Sequence, residues 1–292
     1  MHGKISILIP GIALVLGSVA PGALAGSLEP ADTATTTTQV TEIRLGYKVY
    51  MGGSKIAKMN IDMSLGDKEY WVRGSGRTVG LLDKVARTRF SGAAHGTIDN
   101  GSVRPKLHIS TINQKKRDQR VRIAYDADRV PEIKAEPAFK KSSKRTDLLA
   151  KTLPHTIDPV SLFVAPIIQG KSALSPDQCN RRVLVLDGRR RFNVIYKHKA
   201  SYGAYRLRKP AYTGPALLCT ARIVPVGGYK RSGIWPKLAR QKPANILLVP
   251  AAGNKYLVPL KIVTASPLGK IVVRASSYSV KSATRKLSLR DQ

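Results

Sequence analysis

The chain has 292 residues, with 50 Lys plus Arg against 18 Asp plus Glu and a formal net charge of +32. That length folds without a structural metal or a dense disulfide framework, and an aromatic content of 6% with no rings interleaved among the basic runs argues against a nucleic-acid stacking platform. The charge favours an anionic partner, unless it serves solubility alone.

Lys4 precedes an uncharged apolar run, Ile5 to Val19, and Ala23-Leu24-Ala25 is a small-x-small cleavage site. This order reads as a signal peptide, residues 1–25, cleaved after Ala25; the run is too short and wrongly flanked for a transmembrane anchor. Gly26 follows the cut, so no lipid-attachment cysteine is present there. The expected location is the periplasm. The leader holds one of the 50 basic residues, so 49 remain against 18 acids, a net +31. Outside the cytoplasm the available anions are lipid head groups, lipopolysaccharide, cell-wall polymers and acidic proteins, and nucleic acid is not expected.

Residues 26–41 are polar and Thr-rich and read as a flexible leader. A single β domain is predicted over 42–280. Ile43, Leu45, Tyr47, Val49 and Met51 alternate with mostly polar neighbours, the period of a half-buried strand. Gly52-Gly53 predicts a hairpin, Ile56 to Leu65 the returning strand, and Glu69 to Val79 a third, a β-meander. Leu81, Leu82 and Val85 then predict a short helix. Two strands follow between Ala93 and Tyr125, with Lys115-Lys116-Arg117 in the turn between them.

From Asp126 to His155 the periodicity stops, and Pro131, Pro137 and Pro154 among many lysines predict an exposed basic insertion. Asp158-Pro159 reads as a helix start, with Val160 to Ile168 apolar enough to be buried. The β pattern resumes at Val183 to Leu186, turns at Asp187-Gly188, and returns at Phe192 to Tyr196. Further strands are predicted at 204–207, 217–224, 246–249, 256–264 and 271–280, with a basic tail over 281–292. The expected fold is mainly β: one large curled antiparallel sheet, a spiral or open barrel, with two or three short helices.

Cys179 and Cys219 are the only cysteines; in an oxidising compartment they are expected to form one structural disulfide. Ala165 to Ser172 fits a relaxed phosphate-loop pattern, but it follows a helical rather than a strand signal and carries Pro166, so we read it as coincidence. The glycine-rich Gly74 to Gly80 lacks dinucleotide spacing. His95, His108, His155 and His198 are scattered singly, which supports no metal site and no cofactor. A carboxylate pair such as Asp158 with Asp187 would have to form by folding, and no catalytic residue is assigned. Arg189, Arg190 and Arg191 beside a turn are the candidate rim for an anionic ligand, against the alternative of a solvated turn.

Several segments together resemble an exported bacterial family, domain of unknown function 3108: Tyr47-Lys48-Val49-Tyr50 with Gly52-Gly53; Gly80-Leu81; Asp158-Pro159-Val160-Ser161; Leu186 to Phe192; Cys219 leading into Val224 to Tyr229; and Leu257-Val258-Pro259-Leu260. The resemblance runs from about Tyr47 to Val280. It implies an envelope β-protein similar to lipoprotein-carrier half-barrels, with an apolar interior and no catalytic residues. The expected function is a non-enzymatic periplasmic protein that binds a lipidic or amphipathic anionic ligand and supports envelope integrity. A surface scaffold that binds cell wall or an envelope protein is the alternative, and an envelope-polymer hydrolase the weaker one.

Overall fold

The computed structural model describes residues 37–286 except 116, 127–128, 141, 167–171, 209, 233 and 267–268. The signal peptide, most of the Thr-rich leader, most of the phosphate-loop-like segment and the end of the basic tail lie outside the described residues. Thirteen strands form one antiparallel sheet: β1 (Thr37–Met51), β2 (Ser54–Leu65), β3 (Glu69–Thr78), β4 (Thr88–Asp99), β5 (Ser102–Gln114), β6 (Arg117–Ala124), β7 (Glu132–Glu136), β8 (Arg181–Leu186), β9 (Arg191–Leu207), β10 (Tyr212–Gly227), β11 (Ala244–Ala251), β12 (Tyr256–Ser266) and β13 (Gly269–Lys286). Their spatial order is β7-β6-β5-β4-β3-β2-β1-β13-β12-β11-β10-β9-β8, so the chain's two ends pair at the centre and its middle supplies both edges. The sheet curls and does not close into a barrel.

The meander follows its sequence signals. Gly52 and Gly53 both have positive φ, 55° and 86°, the conformation a two-residue hairpin requires and glycine reaches without a Cβ clash. Ile43, Leu45, Tyr47, Ile61, Met63, Leu65, Tyr70 and Val72 all bury on one face, while Arg44, Asp62 and Arg73 on the other stay exposed. The C-terminal half differs. Leu247, Val249 and Leu260 join that first core, whereas Ile246, Leu248 and Leu257 enter a second one with Val185, Phe192 and Leu217. Strands buried on both faces lose alternation, which explains the continuous apolar run from Ile246 to Val249.

Helices are peripheral. The predicted α1 spans Leu81–Ala86, but Leu81 is 81% and Val85 78% exposed, and of its apolar positions Leu82 alone is half-buried. Helix α2 (Ile234–Arg240), which the sequence reading missed, brings Trp235 against the second core. Three 3-10 turns complete the set, at Ala150–Thr152, Ser161–Phe163 and Pro176–Gln178.

The chain departs from the sequence expectation in further places: three strands, β4, β5 and β6, stand where two were expected before Tyr125, and the strands expected at 192–196 and 204–207 are one, β9. β7 pairs with β6 inside the segment predicted to be an insertion, Arg120 to Ala124 facing Glu136 to Glu132; five residues flanked by lysines and prolines give too little alternation to read. β1 and β13 pair from Thr37↔Lys286 onward, so the sheet begins before Glu42 and runs past Val280. The predicted helix at Asp158 is a single 3-10 turn, because the chain there is crossing the sheet's concave side rather than lying along it.

That crossing segment, residues 142–180, is a strap. Thr146 donates to Tyr229 O at 2.9 Å, and Gly228 returns to Thr146 O at 3.2 Å. Ile157 bridges Val185 in parallel on edge strand β8. Val160 and Val164 then enter the first core, with Phe163 packed against it. Ala165 O accepts from Arg181 Nη1 at 2.8 Å, and Pro166 O accepts from the Leu257 amide at 2.8 Å. Ala173 and Cys179 finally pack on the second core.

Space for the strap is made by glycine. A Cβ at Gly92 would lie 2.9 Å from Val160 Cγ2 and 3.1 Å from Phe90 Cζ, and one at Gly74 would lie 3.6 Å from Val160 Cγ1. Gly92→Ala is therefore expected to destabilise the protein by about 1–3 kcal/mol through overpacking. Denaturant unfolding should show part of that loss restored when Val160→Ala is added. Strictly additive costs would mean that the strap does not press on β4.

Candidate functional site

The most concentrated polar chemistry lies where the strap meets β3 and β5. Pro159 has no amide proton, so the next two amides are the ones free to meet the Asp158 carboxylate. Val160 N and Ser161 N both donate to Asp158 Oδ1 at 2.9 Å. Ser161 Oγ donates to Oδ2 at 2.5 Å and, with its own proton so used, accepts from the Tyr70 hydroxyl at 2.8 Å. His108 on β5 completes the cluster, its Nδ1 3.1 Å from Asp158 Oδ1. This approach lies outside hydrogen-bond geometry.

Asp158 and Ser161 are fully buried and His108 is 2% exposed. Burial acts to raise the Asp158 pKa, but His108 and the Ser161 hydroxyl and amide outweigh it and hold the carboxyl below its usual range. Burial, followed by the Asp158 charge, pushes the Tyr70 phenol up. Serine, aspartate and histidine meet here in the wrong order for nucleophilic attack. The hydroxyl binds the carboxylate directly, and the imidazole sits on the other oxygen, so no base is placed to take the serine proton. The arrangement anchors the strap.

The Asp187 turn repeats the device. Asp187 Oδ1 accepts from Arg189 N at 3.0 Å and Arg190 N at 2.7 Å, and Oδ2 accepts from Arg190 Nε at 2.6 Å. The three arginines proposed as a ligand rim are placed individually. Arg189 lies over the Phe139 ring at 4.9 Å and Arg190 over Trp235 at 4.6 Å. Arg191 is 4% exposed; its Nε donates to Thr152 O at 2.8 Å, and Nη1 donates to Phe192 O and Asn193 Oδ1. A guanidinium spent on backbone carbonyls is not offered to a ligand. Arg191 stitches β9 to the strap. The two carboxylates imagined as a pair, Asp158 and Asp187, each have this local structural work.

Cys179 and Cys219 form a disulfide with Cα atoms 5.6 Å apart, and it ties the end of the strap to β10. The four histidines beyond the leader, which holds His2, are dispersed: His108 lies under the strap, His95 stacks on Trp71 at 4.4 Å, His198 meets Ser201 Oγ at 3.0 Å, and His155 adopts φ 59°. Among the described residues no three metal-ligating side chains converge.

The outer face, opposite the strap, carries open depressions. One of about 430 Å³ is lined by small residues including Ser75, Ser91 and Thr111. A second, of about 500 Å³, adjoins it through Asp62 and Arg73 and includes Trp71, which is 48% exposed. Sequence reasoning missed Trp71 and His95 as a pair because their contact follows from β3–β4 register, Trp71↔His95.

The structure thus defines a class: an open, curled antiparallel β-sheet protein whose concave side holds a strap from its own chain. The profile of the family "Protein of unknown function (DUF3108)" matches residues 46–275, and the chain belongs to this family. The crystal structure of a beta-barrel-like protein of domain of unknown function DUF1849 from Brucella abortus is similar at 9% identity; the alignment covers 82% of this chain and 98% of that one, with a TM-score of 0.49. No curated protein matches the chain. Among the described residues no helix is long and apolar enough to cross a membrane.

Two measurements check this site. Because folding lowers the Asp158 pKa, its stabilisation is complete above the ordinary carboxyl value of 3.8 and is lost as pH falls through the lower folded value. Asp158→Asn should cost about 3 kcal/mol at pH 7, and the gap to the parent protein should narrow below about pH 4 in parallel denaturation curves. Separately, the disulfide closes a loop with a sequence separation of 40. Cys179→Ala/Cys219→Ala should lose about 4 kcal/mol by the chain-entropy account, read from urea midpoints of the oxidised parent and the variant.

Proposed function

We propose that this is a non-enzymatic, exported envelope protein that works through its outer face, holding an anionic partner against the convex side of the sheet. The observation that carries the reading is the strap. Its Asp158 and Ser161 are fully buried, Val160 is 3% and Val164 1% exposed, and they occupy the concave side where an acyl chain would have to lie. A ligand seated there would need to lift the strap away, breaking the Asp158–His108 and Ser161–Tyr70 contacts and leaving buried His108 and Tyr70 without those partners. The scaffold alternative in the sequence reading therefore has more support than the lipid carrier. Export is supported by the leader pattern and by the Cys179–Cys219 bridge, a bond that persists in oxidising compartments.

The test is native mass spectrometry of protein isolated from its own envelope under conditions that retain bound lipid. The expected spectrum is the mature chain with its disulfide and no stoichiometric acyl ligand. A one-to-one lipid adduct that survives and protects the strap from proteolysis would overturn the outer-face reading.

A further inference from the structure

The register of the sheet assembles a charge pattern that no linear segment contains. Arg89 lies opposite Arg77, Arg77 opposite Lys58, Lys58 opposite Lys48, Lys48 opposite Arg274, and Arg274 opposite Lys261. Six cations thus stand in one row across β4, β3, β2, β1, β13 and β12. With neighbouring strands about 4.8 Å apart, the row is about 24 Å long.

Like charges directly opposite one another in a sheet are destabilising, and where Arg122 faces Lys134 the acid Glu132 meets both, at 3.8 and 3.0 Å. Four residues further along β2, Asp62 stands between Arg73 and Arg44, and Arg44 also meets Glu42 at 3.2 Å. Between the two rows lies a neutral one, Ser75, Asn60 and Gly46. In the cationic row only Arg89 has an acid, Asp83 at 3.7 Å. Among the described residues the other five form no ion pair. Among the described residues no acid relieves the repulsion along these five.

A depression of about 470 Å³ lies on this row. Lys48 and Arg274 line it, the β9–β10 hairpin adds Arg208, and Ser276 and Ser277 add hydroxyls. Tyr50 forms part of the wall, with the Arg274 guanidinium 5.3 Å from its ring centroid. Ser276 is the residue bulged out of the β1–β13 register beside Gly46, and its hydroxyl bonds Gly46 O at 3.2 Å. Two guanidiniums, an ammonium and the Ser277 hydroxyl around one open depression form a site for phosphate oxygens.

We propose that this row is the binding track for an extended phosphate-bearing polyanion, with one phosphate seated among Lys48, Arg208 and Arg274 and its neighbours lying along Lys58 and Arg77. The proposal rests on the outer-face reading and names its ligand chemistry. A chain fits better than an anionic plane, because a plane pressed on this face would also meet Asp62 and Glu42, whereas a chain follows the row and avoids them.

The test measures binding of the mature protein to long-chain inorganic polyphosphate across a salt series, with orthophosphate and phosphatidylglycerol vesicles as further probes. Lys48→Gln/Arg208→Gln/Arg274→Gln should weaken polyphosphate binding by more than about tenfold and flatten the log-affinity against log-salt slope by about 2. The control Lys68→Gln/Lys140→Gln/Lys151→Gln, exposed cations elsewhere with the same change in net charge, should stay within about twofold of the parent. Lys58→Gln/Arg77→Gln, two exposed positions, gives a second arm should the triple variant fail to fold, and should weaken binding by a smaller factor. Equal losses in the row and control variants would overturn the track, as would full competition by orthophosphate at matched charge or tighter, row-dependent binding to the vesicles. Each of these would leave the outer-face reading to its own lipid test; a stoichiometric acyl adduct would remove that reading while the polyphosphate data stood.

Discussion

The fold depends on one buried carboxylate. Asp158 is carried on a segment with no long run of secondary structure, and it must stop at a defined place on the concave side of a wide sheet. Removing a carboxylate from water costs several kcal/mol, and the cost is offset only where Val160 N, Ser161 N, Ser161 Oγ and His108 all meet it. Val160 and Ser161 travel with Asp158, so shifting the strap by one residue would lose the two contacts that reach the sheet, Asp158 with His108 and Ser161 with Tyr70. The contact thus fixes position more than it adds stability, and it joins a segment next to edge strand β8 to strands β3 and β5 on the far side of the sheet order.

This anchoring answers a problem set by the topology. An open sheet has two edges, each a row of unpaired backbone groups. Here β7 and β8 are those edges, and the strap begins at one and ends at the other. Ile157 satisfies part of the β8 edge by its parallel bridge. Val121, Ile123 and Leu186 form a third core with Leu153 of the strap, and Gly188, with φ 85°, has no room for a Cβ against Val121. The two edges therefore approach through side chains and the strap, without strand pairing. An interior organised this way leaves the outer side of β1 to β5, which the second core does not cover, as the place where a partner can be met at no cost to the fold.

Much of this architecture was legible in the sequence. Alternation from Ile43 to Met51, the Gly52-Gly53 turn and the regular strand spacing define a large curled antiparallel sheet, and the cysteine pair follows from compartment. Short or doubly buried elements were harder. β7 has five residues, and Ile246 to Val249 shows no alternation because both its faces are covered. The Asp158-Pro159 pair was visible as a cap, but its partner His108 stands 50 positions earlier, and nothing local links them. The candidate site was the least legible part. Arg189 to Arg191 attracted notice because they are adjacent in sequence, yet Arg191 is buried in backbone contacts. Lys48, Lys58, Arg77 and Arg274 went unnoticed because only strand register brings them into line.

The strap is a fixed part of the interior and not a displaceable lid. Native-state hydrogen exchange at the Val160 and Ser161 amides tests it most directly. Both donate to Asp158 and are buried against the sheet, Val160 at 3% and Ser161 at 0% exposure, so they should exchange only through global unfolding, with the same opening free energy as the central β1 and β13 amides. Exchange of these two amides at much lower free energy than those strands, through local release of the strap, would contradict the account.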